Sequence, residues 1–489
     1  MVNRSNPERP AFRDELNAEF KRYLFAEGAR FPRGECLRID FHCHDHHSDV
    51  PDELWGRILG LPETWLKTGK LVQCLRGNGS DVLTITNHNN ARSCWKLLDK
   101  GQDVLVGAEF TCFFPEYELH VHVLTYGFTP AQETVLNRKR ADIYAFLRYA
   151  AEQDIAVVLP HPLYFYGANP GVAPELFEKL ALLFQRFEVL NGQRDVWQSV
   201  LTLHWAQGLG EEKLDHYRRK HGLDPADFGV APHQPKCLTG GSDDHMGLFA
   251  GQCGSYLWVP QLAARRQHRP LSELALEALR AGQVAPFGEV GENQRLSIAL
   301  LDYFAQISTR IEDPGLLRML FHRGEVEDKL ACLAIANALL EMKKSKKTQR
   351  FIAFVHQALH GKKPDWLVRR KVSSDYRFCI AHLTKIADAR QQAPEQFAAT
   401  VAESMAALFT GLTELVIARL RAAAPGLAAV LPEDLSTAAL TRSFELPSQF
   451  SALLFGAGKG DKHQSGLNFS ALLDKLAFPA LVGLVLAGA

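Results

Sequence analysis

The stretch Ile39-Asp40-Phe41-His42-Cys43-His44 is a short run with the character of a β-strand, and it ends on histidines. Because successive side chains of a strand point to opposite faces, His42 and His44 share one face. Two imidazoles on one face at a strand end can bind a single divalent ion. The stretch therefore predicts a strand that carries a metal site at its C-terminal end.

Seven such runs occur between residues 37 and 245, each with a metal-ligating or strongly polar side chain at or near its end. They are 37–42 with His42, 81–88 with His88, 103–109 with Glu109, 119–124 with His122, 155–161 with His161, 186–191 with Asn191 and 237–245 with Asp243 and His245. Most connections between the runs are long enough for a helix, so we expect parallel strands with crossover helices. In a barrel of this kind the active site collects at the C-terminal ends of the strands. The pattern predicts an α/β barrel with a polymetal site.

The motifs of this region resemble those of the PHP (polymerase and histidinol phosphatase) superfamily of metal-dependent phosphoesterases. The resemblance covers about residues 36–290 and follows the family's order: HCHDHHSD at 42–49, TNHN at 86–89, GAEFT at 107–111, HVLTYGF at 122–128, PHP at 160–162, EVLNG at 188–192 and GSDDH at 241–245. It implies a distorted (β/α)7 barrel that holds two or three divalent ions. The ligands it implies are His42, His44, Asp49, His88, Glu109, His122, His161, Asp243 and His245.

Some positions in these motifs allow another interpretation. The family's second motif is usually Thr-Asp-His, whereas this chain has Thr86-Asn87-His88 and lacks the negative charge beside the histidine. His88 can also be interpreted as the start of a helix that Asn89 or Asn90 caps. His120 shares a strand face with His122 and is a candidate for supporting the ligands. Pro162 is expected to hold the residue before it, His161, in an extended conformation.

The predicted chemistry is metal-dependent hydrolysis of a phosphoester. A mixed imidazole and carboxylate cluster suits Mn, Fe or Zn better than Ca. Glu109 follows an apolar strand and is the expected bridging ligand, because a buried carboxylate needs a partner. A metal-bridging hydroxide would attack phosphorus in line. Glu109, Asp243 and His245 are the predicted catalytic residues, and the resemblance is to the small nucleotide phosphatases of the family. A small nucleotide or sugar phosphate is therefore the expected substrate.

A phosphorylated substrate needs cationic contacts near the mouth of the barrel. The candidates are Arg76, Arg92, Arg194, His233 and Lys236, for which the alternative is a solvated surface charge. Asn191 is expected to shape the pocket or to contact the substrate.

The rest of the chain is predicted to be mostly helical. Residues 1–35 show helix-like spacing and predict a lead-in helix, 36–290 form the PHP domain, and 291–489 form a helical domain of unknown role. Basic clusters at 343–347 and 362–371 leave open a nuclease that uses this domain to grip nucleic acid. A non-catalytic PHP domain that regulates a partner is a further alternative, which the full set of costly polar groups disfavours.

Composition adds a few limits. The formal net charge of zero gives no overall attraction to nucleic acid or to anionic membranes. Nine cysteines without a CxxC pair predict free thiols in a reducing cytoplasm. No secretory leader is visible, and the apolar stretch 476–489 is shorter than the roughly 20 residues that span a bilayer. We therefore expect no membrane association, while the oligomeric state stays open.

Overall fold

The structure is a computed structural model that describes residues 8–48, 56, 59–164, 173–289, 294–324, 326–344, 346–365 and 372–423. It is a mixed fold of helix and sheet, in agreement with the predicted α/β class. The chain divides into two compact units, residues 1–50 with 62–295 and residues 51–61 with 296–489. The stretch 476–489 lies outside the described residues. Among the helices of the described part, none is long and apolar enough to cross a membrane.

The first unit contains all of the strands that the structure describes. They are β1 (Cys36–Ile39), β2 (Gly107–Phe114), β3 (Leu119–Tyr126), β4 (Ala156–Val158), β5 (Arg186–Asn191), β6 (Cys237–Gly241), β7 (Gly254–Trp258) and β8 (Val284–Phe287). Its helices are α1 (Glu8–Gly28), α2 (Thr68–Gly77), α3 (Arg92–Leu98), α4 (Pro130–Lys139), α5 (Ile143–Glu152), α6 (Pro174–Leu183), α7 (Val196–Gln207), α8 (Glu211–His221), α9 (Leu262–Arg265) and α10 (Leu271–Arg280). The helix predicted within residues 1–35 is α1, and its Phe20 is fully buried against β5 and α7 side chains.

Six of the seven predicted runs contain a strand, and the run 81–88 makes only isolated bridges. Its Val82 pairs in parallel with Ile39, and its His88 with Glu109. Further along, Leu159 pairs in parallel with Phe187, and β5 pairs in parallel with β6. A last parallel bridge joins Cys43, just after β1, to Asp244, just after β6. Together with the pairing of β2, β3 and β4, each predicted run is thus hydrogen-bonded to the run that follows it in the sequence. The end of the last run is paired with the residue that follows the first.

The prediction of uniformly parallel strands was wrong for part of the sheet. Strand β3 runs antiparallel to both β2 and β4. The physical reason is the connection Pro115–Glu118 between β2 and β3, because a parallel crossover needs a dozen or more residues. The additional strand β7 is antiparallel to β1 and to β8. His122 therefore lies within an antiparallel strand, where its register partner is Thr111.

A central apolar cluster packs these strands together. It takes buried side chains from six of the seven predicted runs, among them Ile39, Val82, Leu105, Leu124 and Val158. Burying one such side chain stabilises the fold by about 1.5–3 kcal/mol, so this shared cluster determines which strand ends come together. The strands with the ligand-type residues are thereby fixed to one another.

Two glycines let β6 approach its neighbours closely. A Cβ at Gly241 would lie 2.4 Å from the Cβ of His42 and 2.8 Å from Oε1 of Glu188. A Cβ at Gly240 would lie 2.6 Å from the carbonyl oxygen of Gly254. Any larger residue would separate the end of β6 from the end of β1.

The described residues of the second unit are helical. Apart from Gln294 and Arg295 at the start of α11, which belong to the first unit, its helices are α11 (Gln294–Arg310), α12 (Gly315–Phe321), α13 (Val326–Lys343), α14 (Lys346–Leu359), α15 (Arg377–Gln392) and α16 (Phe397–Ala423). Buried residues such as Ile307, Ala336, Leu359, Leu383 and Leu408 line the sides on which these helices pack.

Candidate metal centre

The structure brings together all of the predicted ligands except Asp49, which lies outside the described residues. They form overlapping groups whose ligand atoms lie within 4.8 Å of one another. The groups are His42 with His44 and Asp243, His42 with Glu109 and His161, His88 with Glu109 and His122, and His44 with Glu63, His88 and His245. Because His42, His44, His88 and Glu109 each belong to two groups, the arrangement fits adjacent ions that share ligands.

Glu109 lies at the centre of this cluster. Its Oε2 is 3.1 Å from Nε2 of His42 and 3.2 Å from Nε2 of His44. Its Oε1 is 2.8 Å from Nδ1 of His122 and 3.2 Å from Nε2 of His161. The two oxygens of one carboxylate thus face different sets of imidazoles, which is the arrangement expected of a bridging ligand.

Glu63 belongs to the cluster, and the sequence interpretation missed it. Its Oε1 lies 3.0 Å from Nε2 of His88 and 3.0 Å from Nε2 of His245. The side chain is buried although it follows Leu61-Pro62 in a loop and not a strand. The only sequence signal was a carboxylate within the apolar segment 61–66, because a buried carboxylate needs a partner.

Glu188 is a second residue that the sequence interpretation missed, and it orients His42 and His161 of the cluster. Its Oε1 is 3.0 Å from Nδ1 of His42, and its Oε2 accepts the backbone N–H of His161. Donation from Nδ1 to this carboxylate leaves Nε2 of His42 for the centre, as in carboxylate–histidine–metal arrangements. A glutamate in the apolar run of β5 was the available signal.

His245 has a comparable support. Its Nδ1 donates to the carbonyl oxygen of Asp243 at 2.8 Å, which leaves Nε2 facing Glu63. The side chain of Asp243 accepts from Nδ2 of Asn191 at 3.1 Å. Asn191 also donates to Glu188, so it connects the supporting residues and lies at the cluster as expected.

The electrostatics of the centre depend on charges of both signs. Burial raises the pKa of Glu109, but the nearby His42, His122 and His88 outweigh burial and hold the pKa well below its usual value. Burial likewise opposes ionisation of Glu63, and His88 and His245 lower its pKa well below the usual range. The centre therefore presents ionised carboxylates in a buried site, where they need cations close by.

His44 provides the clearest test of whether divalent ions fit here. Burial, with His245 next, lowers the pKa of His44 to about 4, so the imidazole is neutral at neutral pH. Within the described part of the chain, neither of its ring nitrogens nor Oε2 of Glu63 has a hydrogen-bond partner. Ligand atoms that share a tetrahedral ion lie about 3.3–3.4 Å apart, close to the 3.2 Å between His44 and Glu109. A neutral imidazole beside an ionised carboxylate fits a divalent cation.

Two residues of the centre have left-handed backbone angles. The φ of Asp243 is 53° and that of His161 is 28°. The expected extended conformation of His161 was therefore wrong, because its N–H turns to Glu188. Such conformations cost roughly 1–3 kcal/mol each and cluster at functional sites.

Asn87, the departure from the family's motif, makes a specific set of contacts. Its Nδ2 donates to Oδ1 of Asp45 at 2.8 Å and to the hydroxyl of Ser93 at 3.0 Å. Its Oδ1 accepts the backbone N–H of Asp45. An amide can donate to and accept from Asp45 at once, whereas an aspartate would place two carboxylates against each other.

The alternatives for two histidines are resolved by their positions. His88 lies in the cluster, and the helix that follows begins only at Arg92. Asn90 still accepts the N–H of Arg92 as an N-terminal cap would. His120 is exposed, and its ring packs 5.4 Å from the ring of Phe113.

The predicted substrate contacts lie in different places. Arg194 is close to the cluster, with Nη2 3.5 Å from Oδ2 of Asp243 and its guanidinium 4.1 Å from the ring centre of Tyr164. Arg76 and Arg92 are exposed on α2 and α3. A small cavity beside the cluster is lined by His161, Asn191 and Arg194.

The structure contradicts a role at the mouth for two candidates. The Nζ of Lys236 donates to the carbonyl oxygens of Ala181 and Phe184, which end α6, and the residue lies before β6 and not after it. His233 is largely exposed and pairs with Glu211 at 2.7 Å. Both precede the strand whose far end carries Asp243 and His245.

Some lysines of the basic clusters have internal partners. Lys343 donates to the carbonyl oxygen of Ile311 at 2.6 Å, and Lys363 pairs with Asp388. Residues 366–371 lie outside the described residues. The carboxylate of Asp388 offsets the charge of Lys363, whereas Lys343 keeps its charge but is held by a backbone carbonyl.

Comparisons with known proteins found few similarities. No protein-family model matches the chain, and no curated protein matches its sequence. An amidohydrolase from Chromobacterium violaceum, solved with bound sulfate and no metal, is 15% identical, with 49% of this chain and 96% of that chain covered and a TM-score of 0.28. A protein from Bifidobacterium adolescentis described as a metal-dependent phosphoesterase is 14% identical, with 42% and 87% covered and a TM-score of 0.24. Similarities this low assign neither fold nor activity to this chain.

Proposed function

We propose that this protein is a metal-dependent phosphoesterase that holds two or three divalent ions, of the Mn, Fe or Zn type, in the buried cluster. The main observation in support is that ligand-type residues converge in groups that share Glu109, His44, His42 and His88. Imidazole with carboxylate is the donor set of such ions. When bound, they would supply an activated water at neutral pH and neutralise charge on the phosphoryl oxygens.

The fold we propose around this cluster is a distorted, closed (β/α)7 barrel of the PHP type. The bridge between Cys43 and Asp244 supports closure, because it pairs the last run with the first. The hairpin of β2 and β3 is the main distortion. It brings His122 to Glu109 without a crossover helix.

The chain's own residues have distinct roles in the proposed reaction. Glu109 bridges the ligand groups, Asp243 and His245 complete the centre, and Glu188 keeps Nε2 of His42 directed inward. Arg194 lies next to Asp243 with a largely buried guanidinium. It is placed to bind a non-bridging phosphoryl oxygen and to hold the ester in line.

We propose a small phosphorylated substrate, a nucleotide or a sugar phosphate. The internal partners of Lys343 and Lys363 favour it over nucleic acid. All nine cysteines are free thiols, which agrees with the predicted cytoplasmic location. Location and substrate both stay predictions.

The test is a panel of nucleoside monophosphates, bisphosphates, sugar phosphates and a single-stranded oligonucleotide, incubated with the Mn-, Fe- or Zn-supplemented chain. We expect phosphate release from a small ester and its loss in Glu109→Gln. The matched control is Glu116→Gln, which changes a partly exposed carboxylate paired with Lys179. Cleavage of the oligonucleotide alone would favour the nuclease, and full activity in Glu109→Gln would refute the assigned site.

A further inference from the structure

A second cluster of ligand-type side chains lies within the helical unit, between α11 and α14. Asp302 on α11 is fully buried, and both of its oxygens face histidines. Its Oδ1 is 2.6 Å from Nδ1 of His356, and its Oδ2 is 2.9 Å from Nε2 of His360. Three groups that commonly bind transition metals thus converge from two helices.

The two histidines have the spacing of a helical metal site. His360 directly follows α14, and its N–H donates to the carbonyl oxygen of His356, so the helical repeat extends to it. Residues four apart lie on the same helix face, where two histidines can bind one zinc ion. Their ring centres are 4.6 Å apart. Both rings present a nitrogen to the same carboxylate.

The position of Asp302 is fixed independently of the histidines. Gln306, one turn later on α11, donates from Nε2 to Oδ2 of Asp302 at 3.1 Å. The side chains of His356 and His360 are 34% and 22% exposed. The two partly exposed imidazoles are the side from which water and an ion would approach the buried carboxylate.

We propose that Asp302, His356 and His360 form a separate binding site for a zinc-type divalent ion. The site has three protein ligands, with the exposed side left for water as a fourth ligand. On binding, each imidazole would exchange its hydrogen bond to Asp302 for coordination through the same nitrogen and carry its proton on the other nitrogen. The contacts of 2.6 and 2.9 Å would then lengthen to about 3.3 Å, the distance that separates ligands of a shared ion. Imidazole with a carboxylate selects zinc and its neighbours over Mg and Ca. This site depends on none of the residues of the proposed phosphoesterase centre.

The alternative is that the histidines only donate hydrogen bonds to Asp302, and a matched variant separates the two. In His356→Asn with His360→Gln, the amide nitrogens can replace Nδ1 and Nε2 as donors, but the imidazole ligands are gone. The full chain is equilibrated with Zn²⁺, desalted and analysed for zinc per chain. We expect the double variant to hold one equivalent less than the wild type, with unchanged helicity.

The control is His382→Ala on α15, which changes a histidine of the same unit outside the cluster. It should retain the wild-type zinc content. Equal zinc content in the wild type and in the double variant would overturn the proposal. An anomalous peak at the zinc edge between the two imidazoles of the wild-type crystal, lost in the double variant, would place the ion.

Discussion

At the scale of single residues, the sequence predicted the histidines of the centre better than its carboxylates. His42 and His44 were predictable because residues two apart in an extended run share a face, although β1 itself ends at Ile39. Glu63 was not readable, because a loop residue reaches the cluster only through tertiary packing, which leaves no period in the sequence. The meaning of Asn87 also depended on a neighbour, Asp45, that lies 42 positions away.

Placing at position 87 the aspartate that is usual in the PHP motif should destabilise this protein. Asn87→Asp would place a second carboxylate against the buried Asp45 and remove a donor, which should lower the free energy of unfolding by roughly 1–3 kcal/mol. Urea unfolding followed by circular dichroism measures the change. The charge-swapped double variant Asn87→Asp with Asp45→Asn should recover much of the loss, since it restores one amide and one carboxylate. A single variant as stable as the wild type would contradict this role.

Glu63→Gln tests the ligand that the sequence did not reveal. Removing the charge between His88 and His245 should weaken metal binding at that group by about 10-fold or more, because a neutral amide is a poor ligand for these ions. Isothermal titration calorimetry with the metal ion measures the affinity of the variant and of the wild type. Glu133→Gln serves as the control, because Glu133 accepts hydrogen bonds from Trp95 and Ala91 outside the cluster. Unchanged affinity in Glu63→Gln would remove Glu63 from the site.

At the scale of elements, strand positions were predictable and strand directions were not. The apolar runs located β5 and β3 from their patterns, but direction depends on connection length, and the four residues Pro115–Glu118 were not recognised as a hairpin. Lys236 was misplaced for the same reason, because its position in space depends on the direction of β6. It precedes β6, whereas the cluster residues Asp243 and His245 follow that strand. Lys236 instead caps the last carbonyls of α6.

Lys236 should make stability depend on pH. Burial lowers its pKa to about 7, whereas the unfolded chain keeps the usual value of 10.5. Between these values the unfolded state binds more protons, so stability rises with pH, by at most about 1.4 kcal/mol per unit. The stability of the wild type minus that of Lys236→Met should therefore increase from pH 7 to pH 9.5 in urea unfolding. The carbonyls of Ala181 and Phe184 oppose deprotonation, and a flat difference would show that they retain the proton.

At the scale of the whole molecule, the chain has two compact units, and each contains its own cluster of ligand-type side chains. The sequence predicted a helical domain from residue 291 onward. No pattern in the sequence indicated that residues 51–61 belong to the second unit. Local patterns do not encode which distant unit a loop joins, because that depends on packing between remote segments.

Metal removal should destabilise the first unit. Ions that bind only the folded state stabilise it by about 4 kcal/mol at a thousand times their dissociation constant. Without them, the buried carboxylates of Glu63 and Glu109 have only the nearby imidazoles to balance their charge. Calorimetry should show a lower Tm after chelation and recovery on addition of Mn²⁺, with a much smaller recovery in Glu109→Gln. If chelation of a metal-loaded sample left the Tm unchanged, the bound ions would not stabilise the folded state and the prediction would be wrong.

The central claim is that several ions share ligands in the first unit of the chain. The metal content of that unit tests it most directly. The measurement is elemental analysis of the full chain carrying His356→Asn and His360→Gln, after Mn²⁺ loading and desalting, so that only the cluster of the first unit is counted. The account predicts at least two equivalents per chain. A content of zero after loading would contradict it, and a single equivalent would refute the shared, bridging role of Glu109.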